Sequence, residues 1–235
     1  MMKTGKKRLY LLLGICLITQ ATTSIVGGMV GVGPFTDAGS IAVTMDGIVG
    51  RTSSYYAGIF LQIITALVIV ALAMALYQAG KGVNKTAARI AVGFYLLEVV
   101  MVVVNQMLVF GIIEASHQYA ISRDTGLLNM TSLLFSIRRF GGAIAMMPFA
   151  LGALVFYYLI MKAGVIPKWL GLWGLITIPL ILVGWSLAAF GVDVPYALYV
   201  PYVPWEWVAG IYILVKGRPN KRFLPGDGAE PAITI

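Results

Sequence analysis

The sequence predicts an all-α integral membrane protein, a six-helix transmembrane bundle with both termini on the cytoplasmic side and a sixth helix broken or kinked near Pro201 and Pro204. Three observations predict it. Of 235 residues, 60% are hydrophobic and only 11% charged, with a mean hydropathy of +0.90, against roughly a quarter charged in soluble domains. The apolar residues gather into runs of the length, about 20 helical residues, that crosses a hydrocarbon core. The basic residues concentrate in alternate connections, so the net charge of +8 reflects the positive-inside rule and not a soluble basic face for nucleic acid.

The first run, 9–32, follows Lys3, Lys6, Lys7 and Arg8. Its start, LYLLLGICLI then TQATTS, has the layout of a secretory signal. The apolar character continues through SIVGGMVGV, which favours an uncleaved helix; Ile15 ahead of Cys16 disfavours lipid attachment there. Runs two and three, 56–79 and 88–113, flank Lys81, Lys85 and Arg89. Runs four and five, 140–161 and 169–190, flank Lys162 and Lys168. The sixth, 195–215, is long enough but carries Pro201 and Pro204, and Lys216, Arg218, Lys221 and Arg222 follow it. Thirteen of the 17 basic residues therefore fall on one face. Residues 1–216 are expected to form one transmembrane domain, and the polar, Pro/Gly-punctuated tail 217–235 to be disordered.

Much familiar chemistry is excluded. His117 is the only histidine and Cys16 the only cysteine, so a HExxH zinc site, a bis-histidine haem and a disulfide cannot be assembled within one chain. Ser116 and Ser122 neighbour His117 in sequence, but no elbow or orienting acid accompanies them. No lysine sits mid-span for a Schiff base, and no phosphate-binding glycine loop occurs. No metal and no cofactor are expected.

Ionisable residues inside the spans are the candidates for function, since a charge at the bilayer centre costs at least ~2.5 kcal/mol. Glu98 lies nine residues beyond Arg89 and Glu206 ten before Lys216, roughly 13 and 15 Å into the membrane at 1.5 Å per residue. Half of a ~30 Å core is ~15 Å, so both carboxylates are expected near the midplane. Gln20, twelve residues after Arg8, reaches a similar level, on a face with Thr23, Ser24, Gly27 and Gly28. Asn105 follows two turns outward from Glu98 on the same face. Glu98, Glu206, Asn105 and Gln20 are thus candidates for a ligand or proton site in one polar cavity open to the outer side. The alternative is that each polar group is hydrogen-bonded to a neighbouring helix, holding the bundle together for about 1 kcal/mol apiece.

Arg138 and Arg139 precede Lys162 by enough helix, ~35 Å, to span the core, which puts them at the outer headgroups as lipid anchors or phosphate contacts. The stretch GLLNMTSLLFSI ahead of them reads as an interfacial helix or an extension of helix four. Gly27 and Gly31 form a GxxxG seam, and Gly141, Ala145 and Gly152 a similar one on helix four. Both read first as packing seams that let helices approach closely, and they are also the surfaces through which a homo-oligomer or a membrane-protein partner is expected to attach; lipids are the other expected partner, and nucleic acid is not.

Three stretches carry a family resemblance: ALYQAGKGVNKTAARIAVGFYLLEVV, YYLIMKAGVIPKWLGLWGLI and VPWEWVAGIYILVKG. They resemble the bacterial multi-pass family known as domain of unknown function 4386, in which a basic loop leads to a glutamate-bearing helix, V-P-[RK]-W-L opens the fifth helix, and Glu, an apolar run and Lys-Gly close the sixth. Glu98, Pro167, Lys168, Trp169, Glu206, Lys216 and Gly217 match that pattern, whereas Tyr95 stands where the family pattern has arginine. The resemblance implies six helices and the bacterial cytoplasmic membrane, and brings no activity. Three functions remain open. Binding or transport of a small molecule or proton through the midplane cavity leads; an intramembrane enzyme on a lipid or lipid-linked substrate and a structural or partner-binding subunit follow.

Overall fold

A computed structural model describes residues 2–31 and 40–216. Among them the chain is helical and contains no strand: α1 (Met2–Val30), α2 (Ile41–Val49), α3 (Thr52–Gly80), α4 (Lys85–Ser122), α5 (Thr125–Lys162), α6 (Lys168–Ala189) and α7 (Trp205–Lys216), with a 3₁₀ turn at Tyr196–Leu198 before α7. The tail 217–235 lies outside the described residues. Five helices, α1, α3, α4, α5 and α6, are long and apolar enough to cross a membrane, which makes this a multi-pass helical membrane protein. They run alternately up and down, so Lys7, Arg8, Lys81, Lys85, Arg89, Lys162, Lys168 and Lys216 collect at one end of the bundle, the basic end.

The sixth predicted span, expected to be broken or kinked near Pro201 and Pro204, is a regular helix only from Trp205 onward. Its segment folds as successive turns and then α7, whose 12 residues cover about 18 Å against a core of ~30 Å. Proline chemistry accounts for this. Pro201 and Pro204 donate no N–H and disfavour helix at the residues before them. The backbone instead closes i→i+3 bonds, Tyr199 N to Tyr196 O, Tyr202 N to Tyr199 O and Trp205 N to Tyr202 O, at 2.8–3.0 Å. Regular α-bonding begins with Val208 N to Pro204 O at 3.0 Å.

Irregular backbone at membrane depth persists only where protein satisfies it; the Trp173 indole does so here, and the Trp205 indole docks the start of α7 on α6. Trp173 Nε1 on α6 donates to Pro201 O at 2.9 Å, and Trp205 Nε1 donates to Leu170 O at 2.7 Å. Trp207 Nε1 ties α7 to α1 through Thr22 Oγ1 at 3.0 Å.

Helices α4 and α5 exceed their predicted lengths, at 38 residues each, or about 57 Å. The GLLNMTSLLFSI stretch is continuous with α5, so it extends that helix and is not a separate interfacial element. The turn between them places Arg123 in the left-handed region at φ 55°, and its guanidinium binds both oxygens of Asp46 at 2.9 and 3.0 Å. Asp46 sits on α2, a nine-residue helix that sequence reading did not anticipate. Ser40 caps α2 by accepting from Val43 N at 3.3 Å, and Met45 and Ile48 are buried against α4.

α4 packs against α3 and α5, α5 against α6, and α1 against α3 and α7. At one close seam the Gly27/Gly31 motif meets Gly58 of α3 within the chain. A Cβ on Gly58 would stand 2.7 Å from Gly31 Cα and 3.1 Å from Gly27 O. The hydroxyls of Thr23 and Thr65, 2.7 Å apart, continue that interface.

Two apolar clusters bracket a polar level. Ala88, Ala91 and Tyr95 of α4 join a large core toward the basic end with Leu13, Leu76, Tyr157 and Trp205. Val109, Ile112 and Ile113 join a smaller one with Ile48 and Tyr55. Between Tyr95 and Val109 the interior of α4 carries Glu98 and Asn105.

Candidate functional site

The polar level is a cavity. A deep chamber of about 330 Å³ is bounded by all four of the predicted site residues, Gln20 of α1, Glu98 and Asn105 of α4 and Glu206 of α7, and also by Arg138 of α5. A second chamber of about 650 Å³ lies beyond it, lined by Ser40 and Thr44 beside α2 and by Ser132, Ser136, Arg138 and Arg139 of α5. Both chambers share Asn105, Arg138, Gly142, Met146 and Trp185 in their walls. The outer chamber leads toward the α4–α5 end of the bundle, where Ser132, Ser136 and Arg139 are exposed. Toward the basic end the interior is filled by Leu13, Leu17, Tyr157, Leu170 and Trp205, each 0–1% exposed.

Glu206 occupies the first turn of α7, as the proline break requires. An N-terminal turn offers unpaired N–H groups and the positive end of the helix dipole to a carboxylate. Its side chain is further held from two sides. Tyr202 Oη donates to Oε1 at 2.7 Å and itself accepts from Tyr157 Oη at 2.8 Å. The Gln20 amide, oriented with nitrogen toward the acid, donates to Oε2 at 3.1 Å and Oε1 at 3.2 Å. The Tyr157 ring stacks on Trp205 with centroids 3.8 Å apart, which fixes the donor end of the relay.

Glu98 is different. It is 3% exposed, and its Oε2 has no hydrogen-bond partner. Farther out, Asn105 Oδ1 and Arg138 Nε are also buried without partners, although Asn105 Nδ2 donates to Arg138 O at 3.5 Å. Buried polar atoms in folded proteins are paired in roughly 90% or more of cases. Three exceptions, all on residues that line one cavity, mark polar groups that no neighbouring helix satisfies. Among the described residues the one ion pair is Arg123 with Asp46. Arg138 accordingly bridges neither acid, in keeping with its predicted depth, and the charges stay apart along the cavity: acids deep, guanidinium farther out.

The four candidates Gln20, Glu98, Asn105 and Glu206 all line the deep chamber, and the rest of its wall was not among the sequence candidates. Gln62 and Thr65 of α3 and Gln106 of α4 line the deep chamber, and Gln62 Nε2 donates to Ser24 O at 3.1 Å. The larger omission is an aromatic ladder in the break, Tyr196, Tyr199 and Tyr202, all at the cavity, followed by Trp205. Its signal was present as an aromatic at every third position of YALYVPYVPW. Three residues per turn stacks such positions on one side. Tyr202 and Trp205 lie nearly parallel at 15°, and Tyr199 stacks on Trp185 of α6 with centroids 5.3 Å apart. His117 makes no serine pair. It bonds Thr52 Oγ1 at 3.0 Å, while Ser116 and Ser122 donate to the carbonyls of Ile112 and Gln118.

No curated protein and no solved structure matches the chain. The sequence model of the family described as "Domain of unknown function (DUF4386)" matches residues 12–217, an interval that holds every residue of both chambers. With seven-eighths of its length inside that match, the chain belongs to the DUF4386 family.

Proposed function

We propose that this protein binds a small molecule in the deep chamber and uses that site to carry the molecule, or a proton exchanged with it, across the membrane. The observation that carries the reading is the unpartnered set of Glu98 Oε2, Asn105 Oδ1 and Arg138 Nε on one cavity wall. If the acids served only to hold helices together, their oxygens would be satisfied by neighbouring helices. Glu206 meets that description through Tyr202 and Gln20, and Glu98 does not. The broken segment before α7 supports the same reading, because discontinuous helices at mid-membrane are where secondary transporters place substrate sites.

The chain sits in the bacterial cytoplasmic membrane with both termini inside, and α7 with the turns before it completes a sixth crossing. The concentration of lysine and arginine at the basic end supports this orientation. Reporter fusions at the two termini test it, with both reporters expected on the cytoplasmic side.

Native mass spectrometry of the purified protein tests the binding reading. A small molecule retained by the wild type and lost from a folded Glu98→Gln variant is the expected result. A stoichiometric protein partner, with no small molecule and no dependence on Glu98, would replace this reading with that of a subunit. A retained phospholipid lost on Arg138 and Arg139 substitution would favour a lipid-directed enzyme.

A further inference from the structure

The order of the three unpartnered groups defines the chemistry of the occupant. We infer that the cavity is built for a linear zwitterion with its cation innermost and, about 10 Å farther out, its anion with an N–H donor beside it, the chemistry of a short peptide of about three residues. This rests on the binding reading above and specifies its ligand. Glu98 offers an acceptor oxygen at the deep end. Asn105, seven residues outward on the same helix, offers a second acceptor about 10 Å farther along. Arg138 stands at the level of Asn105, as the 3.5 Å contact with its carbonyl establishes, and offers a cationic donor, with Arg139 beyond it in the outer chamber.

An ammonium group matches the deep carboxylate, a peptide N–H matches Asn105 Oδ1, and a carboxylate matches the guanidinium. An extended chain advances at most about 3.3–3.6 Å per residue. Three residues therefore cover the ~10 Å between the acid and the guanidinium level, while a single amino acid cannot touch both. The deep chamber, about 330 Å³, falls in the range of small-ligand pockets. Its Tyr199, Tyr202 and Trp185 walls offer ring faces to side chains and to an ammonium. A phospholipid shares the anion chemistry at Arg138 and Arg139, but its acyl chain would lie against Glu98 and Asn105 and leave both acceptors unmatched. Burial of unmatched polar groups is costly, which favours the peptide.

The test uses the purified full-length wild type in detergent micelles and isothermal titration calorimetry with defined probes: trialanine, N-acetyl-trialanine, trialanine amide, alanine, and a lysophosphatidylethanolamine. Trialanine is expected to bind. Acetylating its amine or amidating its carboxylate should each weaken binding by about tenfold or more, the scale of one charged hydrogen bond. In Glu98→Gln the penalty for acetylation should vanish while the penalty for amidation remains, a crossed result that general loss of structure cannot produce. Equal binding of trialanine and its acetylated form by the wild type would overturn the proposal, as would tight binding of the lysophospholipid with none of trialanine. Should every peptide fail while native mass spectrometry still finds a small molecule dependent on Glu98, the ligand class is wrong and the binding reading stands. Should both experiments fail, both readings fall.

Discussion

The relay from Tyr157 through Tyr202 to Glu206 predicts an asymmetry between two chemically identical substitutions. Tyr202→Phe removes two hydrogen bonds, the 2.7 Å donation to Glu206 and the 2.8 Å acceptance from Tyr157. Tyr157→Phe removes only the second. A buried bond is worth about 0.5–1.5 kcal/mol net, and about 1.5–3 kcal/mol to a charged partner, with membrane interiors giving about 0.6 on average and 1.7 at most. Tyr202→Phe should therefore cost about 2–3 kcal/mol and Tyr157→Phe about 1 kcal/mol. The double variant should cost no more than Tyr202→Phe alone, because the Tyr157 bond is already gone. Reversible unfolding in mixed micelles over a denaturing-detergent series gives all three values, and the cycle should show a coupling of about 1 kcal/mol. Additivity within about 0.5 kcal/mol, the behaviour of independent sites, would refute the relay.

The same unfolding measurement separates the two acids. Glu98→Gln should change stability by less than about 0.5 kcal/mol, because Oε2 has no partner to lose, while Glu206→Gln should cost about 1–2 kcal/mol through weaker acceptance from Tyr202. Gly58→Ala should cost about 1–3 kcal/mol, since its methyl meets the backbone of Gly31 at 2.7 Å and cannot rotate away. Gly93→Ala, whose methyl meets nothing within 4 Å, should be neutral or stabilising by up to about 1 kcal/mol. At the α4–α5 turn, Arg123→Gly relieves a left-handed backbone and loses an exposed ion pair; these offset, so stability should stay within about 1 kcal/mol of wild type. A loss beyond about 2 kcal/mol would mean that the bridge to α2 is far stronger than an exposed pair.

The five spans and the level of Glu98, Gln20 and Asn105 were legible in the sequence because each depends on a local count. Apolar run length, the position of flanking lysines and the 1.5 Å rise of a helix fix the depth of a residue without tertiary information. Pro201 and Pro204 were legible for the same reason, since their effect on the backbone is intrinsic. What the counts could not supply is azimuth around the bundle. They put Arg138 at the outer headgroups and not on the cavity wall it shares with Asn105. They read the Gly27/Gly31 motif as a packing seam but could not name the helix that fills it, because a small-residue seam carries no such label; here Gly58 of α3 packs on it. The helix α2 was invisible because nine residues including Asp46 lack a span's length and apolarity. The Asn84 side chain caps α4 by accepting from Ala87 N at 2.9 Å.

If Glu98 and Asn105 face a water-filled cavity entered from the α4–α5 end, cysteines at those positions react with a water-borne thiol reagent. On a Cys16→Ala background, single cysteines at 98 and 105 are compared with one at Val100, a neighbour on α4 that is 56% exposed on the outer surface of the bundle. A thiol facing lipid stays protonated and unreactive, whereas one bathed by water ionises and reacts. A membrane-impermeant, water-soluble thiol reagent should modify positions 98 and 105 and spare position 100. Modification at position 100 with none at 98 and 105, or equal protection of all three, would contradict that placement.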